Sequence, residues 1–327
     1  MNGKIDNNRL IWIDWAKTLG IFFICIGHFL SSGDILRIFL YTFHVPLFFV
    51  VAGINFKPIS DFSHFKSYTK KLLFRIIVPY TIWFVLSEVI FVILKKVTLY
   101  EFITKLLFLD GTTIWNSALW FLPCFFIVSV FIAFVSLYAK KYTIYIGFGL
   151  TLLSLIIDLL GYKEFFLGLN KCMFLTGFYL LGWKSKVLKS TKGNLLYIIP
   201  FLLVGATYAY INRGEVISIL NCQYNNNMLL WLIVSYIMVI SFIELCKLLP
   251  RLKYLELISN NTMFIMCSHI WFRMMIDIFI PSLQSAVRAL IGVFVFFVYV
   301  VILIFMQKSS MVRKYTHVVG KYIGIKI

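Results

Sequence analysis

The feature that most constrains this chain is the recurrence of apolar runs about as long as a bilayer is thick. A hydrocarbon core of roughly 30 Å is crossed by a helix of ~20 residues, and runs of that order fall near 10–30, 35–56, 72–94, 117–138, 142–160, 164–183, 194–211, 228–249, 262–280 and 286–306. Hydrocarbon offers no partner to a backbone N–H or C=O, so each run must satisfy its own as a helix. The reading is therefore an all-α polytopic membrane protein with about ten transmembrane helices. Composition agrees, with 61% hydrophobic and only 13% charged residues. The stretch "LYEFITKLLFL" at 99–109 is too short to span and reads as an interfacial helix. No internal repeat or long linker divides the chain, which parses as one transmembrane domain over 8–306 and a short basic tail over 307–327.

A formal net charge of +18 would suit a nucleic-acid partner, but its distribution argues for membrane orientation instead. The amino-terminal tail, 57–71, 140–141, 184–192, 247–253 and the tail after 306 hold 20 of the 31 Lys and Arg residues, against six in the alternate loops and five inside apolar runs. That asymmetry predicts both termini on the cytoplasmic side. Lys4 and Arg9 ahead of the first run imitate a signal peptide, but no small-residue cleavage site follows, so the run reads as an uncleaved span. The six cysteines (Cys25, Cys124, Cys172, Cys222, Cys246 and Cys267) show no paired or metal-like spacing and read as packing residues, with no metal site expected.

Ionisable residues inside such runs cost about 2.5–3.5 kcal/mol each on insertion scales, so their positions are informative. In "IDWAKTLGIFFICIGH", Lys17 and His28 are eleven residues apart, which brings them within about 20° of one helical face and separates them by about 16 Å. Asp14 precedes Lys17 by three and joins that face. Such a stripe must point into the bundle. Asp14 and Lys17 also suit a simple interfacial ion pair, and His28 suits either a hydrogen-bonded core position or proton transfer. In the second run, His44 precedes Pro46 and can either bond a carbonyl freed by that proline or belong to a site. Pro46 and Gly53 predict distortion and close helix approach. His269 and Arg273 lie one turn apart in the ninth run, as for an anionic ligand or internal bonding. Arg75 can snorkel to headgroups, Trp120 can be an interfacial belt residue, and Asn170 and Lys171 should face inward.

Taken together, "RLIWIDWAKTLGIFFICIGH", "FHVPLFFVVAGI", "RIIVPY", "LWFLP" and "NTMFIMCSHIWF" resemble, in order, the blocks of the acyltransferase 3 family of integral membrane acyltransferases, in particular its fucose 4-O-acetylase-like branch. Two positions depart from the family pattern: Lys17 stands where an arginine is usual, and Ala52 where a serine is common. Lysine keeps the charge but loses the bidentate fork. The resemblance implies O-acyl transfer, usually of acetyl, from cytoplasmic acyl-CoA to a hydroxyl of a cell-surface or exported glycan, in a bacterial cytoplasmic membrane. Acetyl-CoA or another acyl-CoA would be a co-substrate, with no tightly bound cofactor. Within that implication, His28 is the candidate general base or transient acyl carrier, Asp14 and Lys17 organise the donor side, Arg75 holds coenzyme phosphates, and His44, Trp120, Lys171, His269 and Arg273 line the substrate pocket. A glycan or lipid-precursor transporter would share the spans and interior charges, although no paired halves with matching helix breaks are visible. A structural subunit would explain the spans but not the histidines.

Overall fold

The computed structural model describes residues 10–108, 116–162, 168–185, 188, 190, 192–224 and 227–326. Lys4, Arg9, Lys163, Lys186 and Lys189 of the charge argument, and residue 8 of the expected domain start, lie outside them. Among the described residues the fold is all-α, with one isolated bridge between Ser218 and Gln223. Eight helical segments are long and apolar enough to cross a membrane. The sixth and seventh runs form shorter helices, α9 (Leu169–Lys184) and α10 (Ile198–Ile211).

Helix α1 (Ile11–Phe29) is central, and α3 (His44–Asn55), α11 (Met228–Cys246), α12 (Leu255–Asn260), α13 (Thr262–Phe279) and α14 (Ser285–Lys308) surround it. The second run is not one helix. It breaks between α2 (Ile35–Tyr41) and α3 because Pro46 has no N–H to offer the Thr42 carbonyl. The Ser235 hydroxyl donates to that carbonyl from α11, and the His44 ring occupies the Leu40 carbonyl at 2.6 Å. Beyond the break, α3 packs against α9 at backbone contact: a β-carbon on Gly53 would stand 1.9 Å from the Tyr179 carbonyl oxygen. The close approach expected of Gly53 is therefore present, and α9 is the helix that makes it.

The basic stretch 57–71 departs from the loop expected of it. Asp61 accepts from the His64 amide at 2.8 Å and starts α4 (Phe62–Leu72), which runs through a π-helical turn at Leu73–Ile77 into α5 (Val78–Ile93). Pro79 cannot bond the Arg75 carbonyl, and the wider turn absorbs that loss. The stretch expected to lie at the interface forms helix α6 (Leu99–Phe108); Thr98 and Glu101 close its first turn reciprocally. The remaining long helices are α7 (Phe121–Tyr138) and α8 (Thr143–Leu159). The tail, read simply as basic, forms α15 (Ser310–Ile323) and folds back against α5 and the π-turn.

Candidate active site

Two cavities open beside the polar face of α1, one toward each end. The larger, about 610 Å³, lies by the start of the helix and is lined by Asp14, Lys17, Arg75, Ser259 and Asn260 among others. The smaller, about 180 Å³, lies by its end, where His28, Arg37, Tyr41, His44, Trp120 and Arg273 meet. Ile21, Phe48, Leu122 and Met266 contribute an apolar wall to the larger one. Ile21 precedes His28 by seven residues, or about 10 Å of helix rise.

In the larger cavity Asp14 is buried and accepts from the buried Ser259 hydroxyl at 2.5 Å, which ties α1 to α12 across 245 residues of sequence. Lys17 follows one turn later, half-buried. Arg75 is exposed on the π-turn and reaches the cavity from the third span. The expected grouping of Asp14, Lys17 and Arg75 on one side is thus present as geometry.

In the smaller cavity the ring nitrogen Nδ1 of His28 lies 3.2 Å from the Tyr41 hydroxyl. The Tyr41 ring is 4.7 Å from that of His44, and the Arg37 guanidinium sits over the Tyr41 ring, 4.7 Å from its centroid. His269 is fully buried behind His28, with ring centroids 5.1 Å apart. Trp120 lines the cavity, while Lys171 stands behind it with its ammonium 5.6 Å from the indole centroid. Arg273 lines the cavity and pairs with Asp277 at 3.3 Å.

The three histidines are not equivalent. His44 donates Nδ1–H to the Leu40 carbonyl, and His269 donates Nδ1–H to the Ile265 and Met266 carbonyls at 3.0 and 2.8 Å. A carbonyl can only accept, so each of those tautomers is set by the backbone. His28 instead faces a hydroxyl, which can donate or accept, so its ring can exchange roles within the hydrogen bond. That freedom is what general base chemistry requires.

Tyr41, Arg37 and Ser259 were not among the expected site residues. Arg37, Tyr41 and His44 follow at spacings of four and three, a helical stripe that is visible in the sequence once the run is read for polar residues. Ser259 carries no such local signal. All six cysteines are buried and unbridged; the Cys124 and Cys172 sulfurs lie 3.3 Å apart. No cluster of metal-ligating side chains occurs among the described residues.

Residues 10–306 match the model of the acyltransferase domain of the acyltransferase 3 family. The chain belongs to that family. It is a membrane acyltransferase, and all nine expected site residues fall within the acyltransferase 3 match. Neither the curated proteins nor the solved structures include a match to it.

Proposed function

We propose that this acyltransferase 3 protein is an O-acetyltransferase of the fucose 4-O-acetylase-like branch. It moves an acetyl group from acyl-CoA, bound in the larger cavity, to a hydroxyl of a cell-surface or exported glycan in the smaller one. The observation that carries this reading is the pairing of two cavities along one polar helix face, with Asp14 and Lys17 in the first and His28 in the second. The Lys- and Arg-rich loops lie with the larger cavity's end and favour a cytoplasmic position for it in a bacterial cell membrane.

In the proposed reaction His28 keeps Nδ1–H donated to the Tyr41 oxygen and takes the acceptor hydroxyl proton on Nε2. The alkoxide attacks the thioester carbonyl, and the C–S bond breaks as the C–O bond forms. The thiolate leaves and recovers a proton from the imidazolium, so the enzyme is unchanged. Arg37 and Arg273 line the cavity and provide positive charge toward the developing oxyanion. The apolar wall of Ile21, Phe48, Leu122 and Met266 limits water that would hydrolyse the thioester. Lys17 and Arg75 attract the coenzyme's phosphates, and a pantetheine arm extends from them toward His28.

The direct test incubates purified protein with labelled acetyl-CoA and candidate glycans. Acetyl transfer that disappears in His28→Ala, with the variant still monodisperse, is the expected result. Transfer unchanged in that variant refutes the assignment of the base. Movement of a glycan into sealed vesicles without acetyl-CoA turnover would replace the reading with transport.

A further inference from the structure

The larger cavity has a wall that the family match does not include. Residues 10–306 carry the match, yet Gly324 and Lys326 line the same cavity as Asp14, Lys17 and Arg75. Their placement is built rather than incidental. Helix α15 ends at Gly324, whose φ of 85° is the left-handed conformation of a helix stop and turns the chain back toward the cavity. A side chain there would meet Met263 at 2.8 Å. The Trp83 indole donates to the Ile323 carbonyl at 3.2 Å, and the Ile325 amide donates to the Gly320 carbonyl at 2.8 Å. Ile325 is buried.

Lys326 itself is held by both of its backbone groups. The Asn261 side chain donates to the Lys326 carbonyl and accepts from the Lys326 amide, each at 2.7 Å, and Asn261 is fully buried. This clamp joins the start of α13 to a residue 65 positions away. The backbone is therefore fixed while the side chain is exposed at the cavity. Desolvation at that rim, with Arg75 and Lys71 close by, pulls the ammonium below the ordinary lysine value. Clustered like charges oppose one another unless an anion joins them. Lys17, Arg75 and Lys326 line the cavity, with Asp14 as the acid among its lining residues.

We propose that Lys326 is a donor-binding residue that, together with Arg75 and Lys17, holds a phosphate ester of the acyl carrier at the mouth of the larger cavity. The segment 324–326 is then part of the active enzyme's donor site. This rests on the reading of that cavity as the acyl-CoA site.

The test measures binding of coenzyme A to the full chain in nanodiscs of zwitterionic lipid, for wild type, Lys326→Gln and Lys326→Arg. The exposed side chain makes both substitutions compatible with folding, which an unchanged thermal midpoint verifies. One charge-assisted contact at a partly exposed site predicts a dissociation constant raised about three- to tenfold in Lys326→Gln, with a shallower salt dependence. Lys326→Arg should restore most of the affinity. Equal affinity of wild type and Lys326→Gln overturns the proposal and leaves the acyl-CoA site intact. An effect confined to nanodiscs with anionic lipid also overturns it, since the residue would then serve a lipid headgroup. Failure of wild type itself to bind coenzyme A refutes the underlying assignment of the cavity.

Discussion

Replacing Tyr41 with Phe removes a single hydroxyl and keeps the ring that stands 4.7 Å from both the His44 ring and the Arg37 guanidinium. What is lost is the contact with His28 Nδ1 at 3.2 Å. A hydrogen bond of that kind contributes about 0.5–1.5 kcal/mol. If the bond orients the base and persists into the transition state, kcat/KM for acyl transfer should fall about two- to thirteenfold. Removal of the base itself in His28→Ala should cost about 10²–10⁴. The deciding measurement is the double variant, assayed with labelled acetyl-CoA and acceptor. Tyr41→Phe should have no further effect once His28 is alanine, because the hydroxyl acts only through the imidazole. A full two- to thirteenfold loss in that background would show Tyr41 acting on substrate by itself and would refute the orienting role.

Ser259→Ala should lower stability by about 1.5–3 kcal/mol, read as a drop in thermal midpoint, because it leaves the buried Asp14 carboxylate without that donor. His44→Ala should cost about 0.5–1.5 kcal/mol through the lost bond to the Leu40 carbonyl, whereas His28→Ala, which removes no bond to a backbone carbonyl, should lose activity with little change in melting. Gly53→Leu should abolish the monodisperse peak in size-exclusion chromatography, since its β-carbon meets a backbone oxygen rather than a movable side chain. Reporter fusions within 212–224 and after Lys326 should report opposite sides of the membrane; the same side for both would overturn the orientation drawn from charge.

Spans and intramembrane polar residues were legible because each is written in a contiguous stretch. The length of an apolar run sets helix and span together. A lone charge within it must face inward, so Asp14, Lys17, His28 and Arg273 could be oriented before any partner was known. Partners were not legible. Ser259 meets Asp14 from 245 residues away, and Asn261 clamps Lys326 from 65. Neither pair leaves a periodic trace. Breaks were legible only in part: Pro46 announced distortion, but the complete division into α2 and α3 depends on Ser235 receiving the freed carbonyl from another helix. The basic helices α4 and α15 carry no run of spanning length, because their apolar residues occupy one stripe of an otherwise polar segment.

The same distinction bears on the assignment of the base. Counting histidines in apolar runs yields His28, His44 and His269 as equals. The backbone separates them, because the His44 ring bonds the Leu40 carbonyl one turn before it, and the preceding turn of α13 offers two to His269. Both rings are thereby spent on holding helix geometry, with one nitrogen committed as a donor. At His28 the corresponding contact comes from Tyr41, a side chain carried on α2 just ahead of the break. The proline-induced division of the second span thus places the hydroxyl that accompanies His28. A variant that healed the break, such as Pro46→Ala, would restore the amide for the Thr42 carbonyl and draw α2 toward continuity with α3. It should reduce acyl transfer by displacing Tyr41 even as it favours the helix, whereas unchanged activity would separate the break from the site.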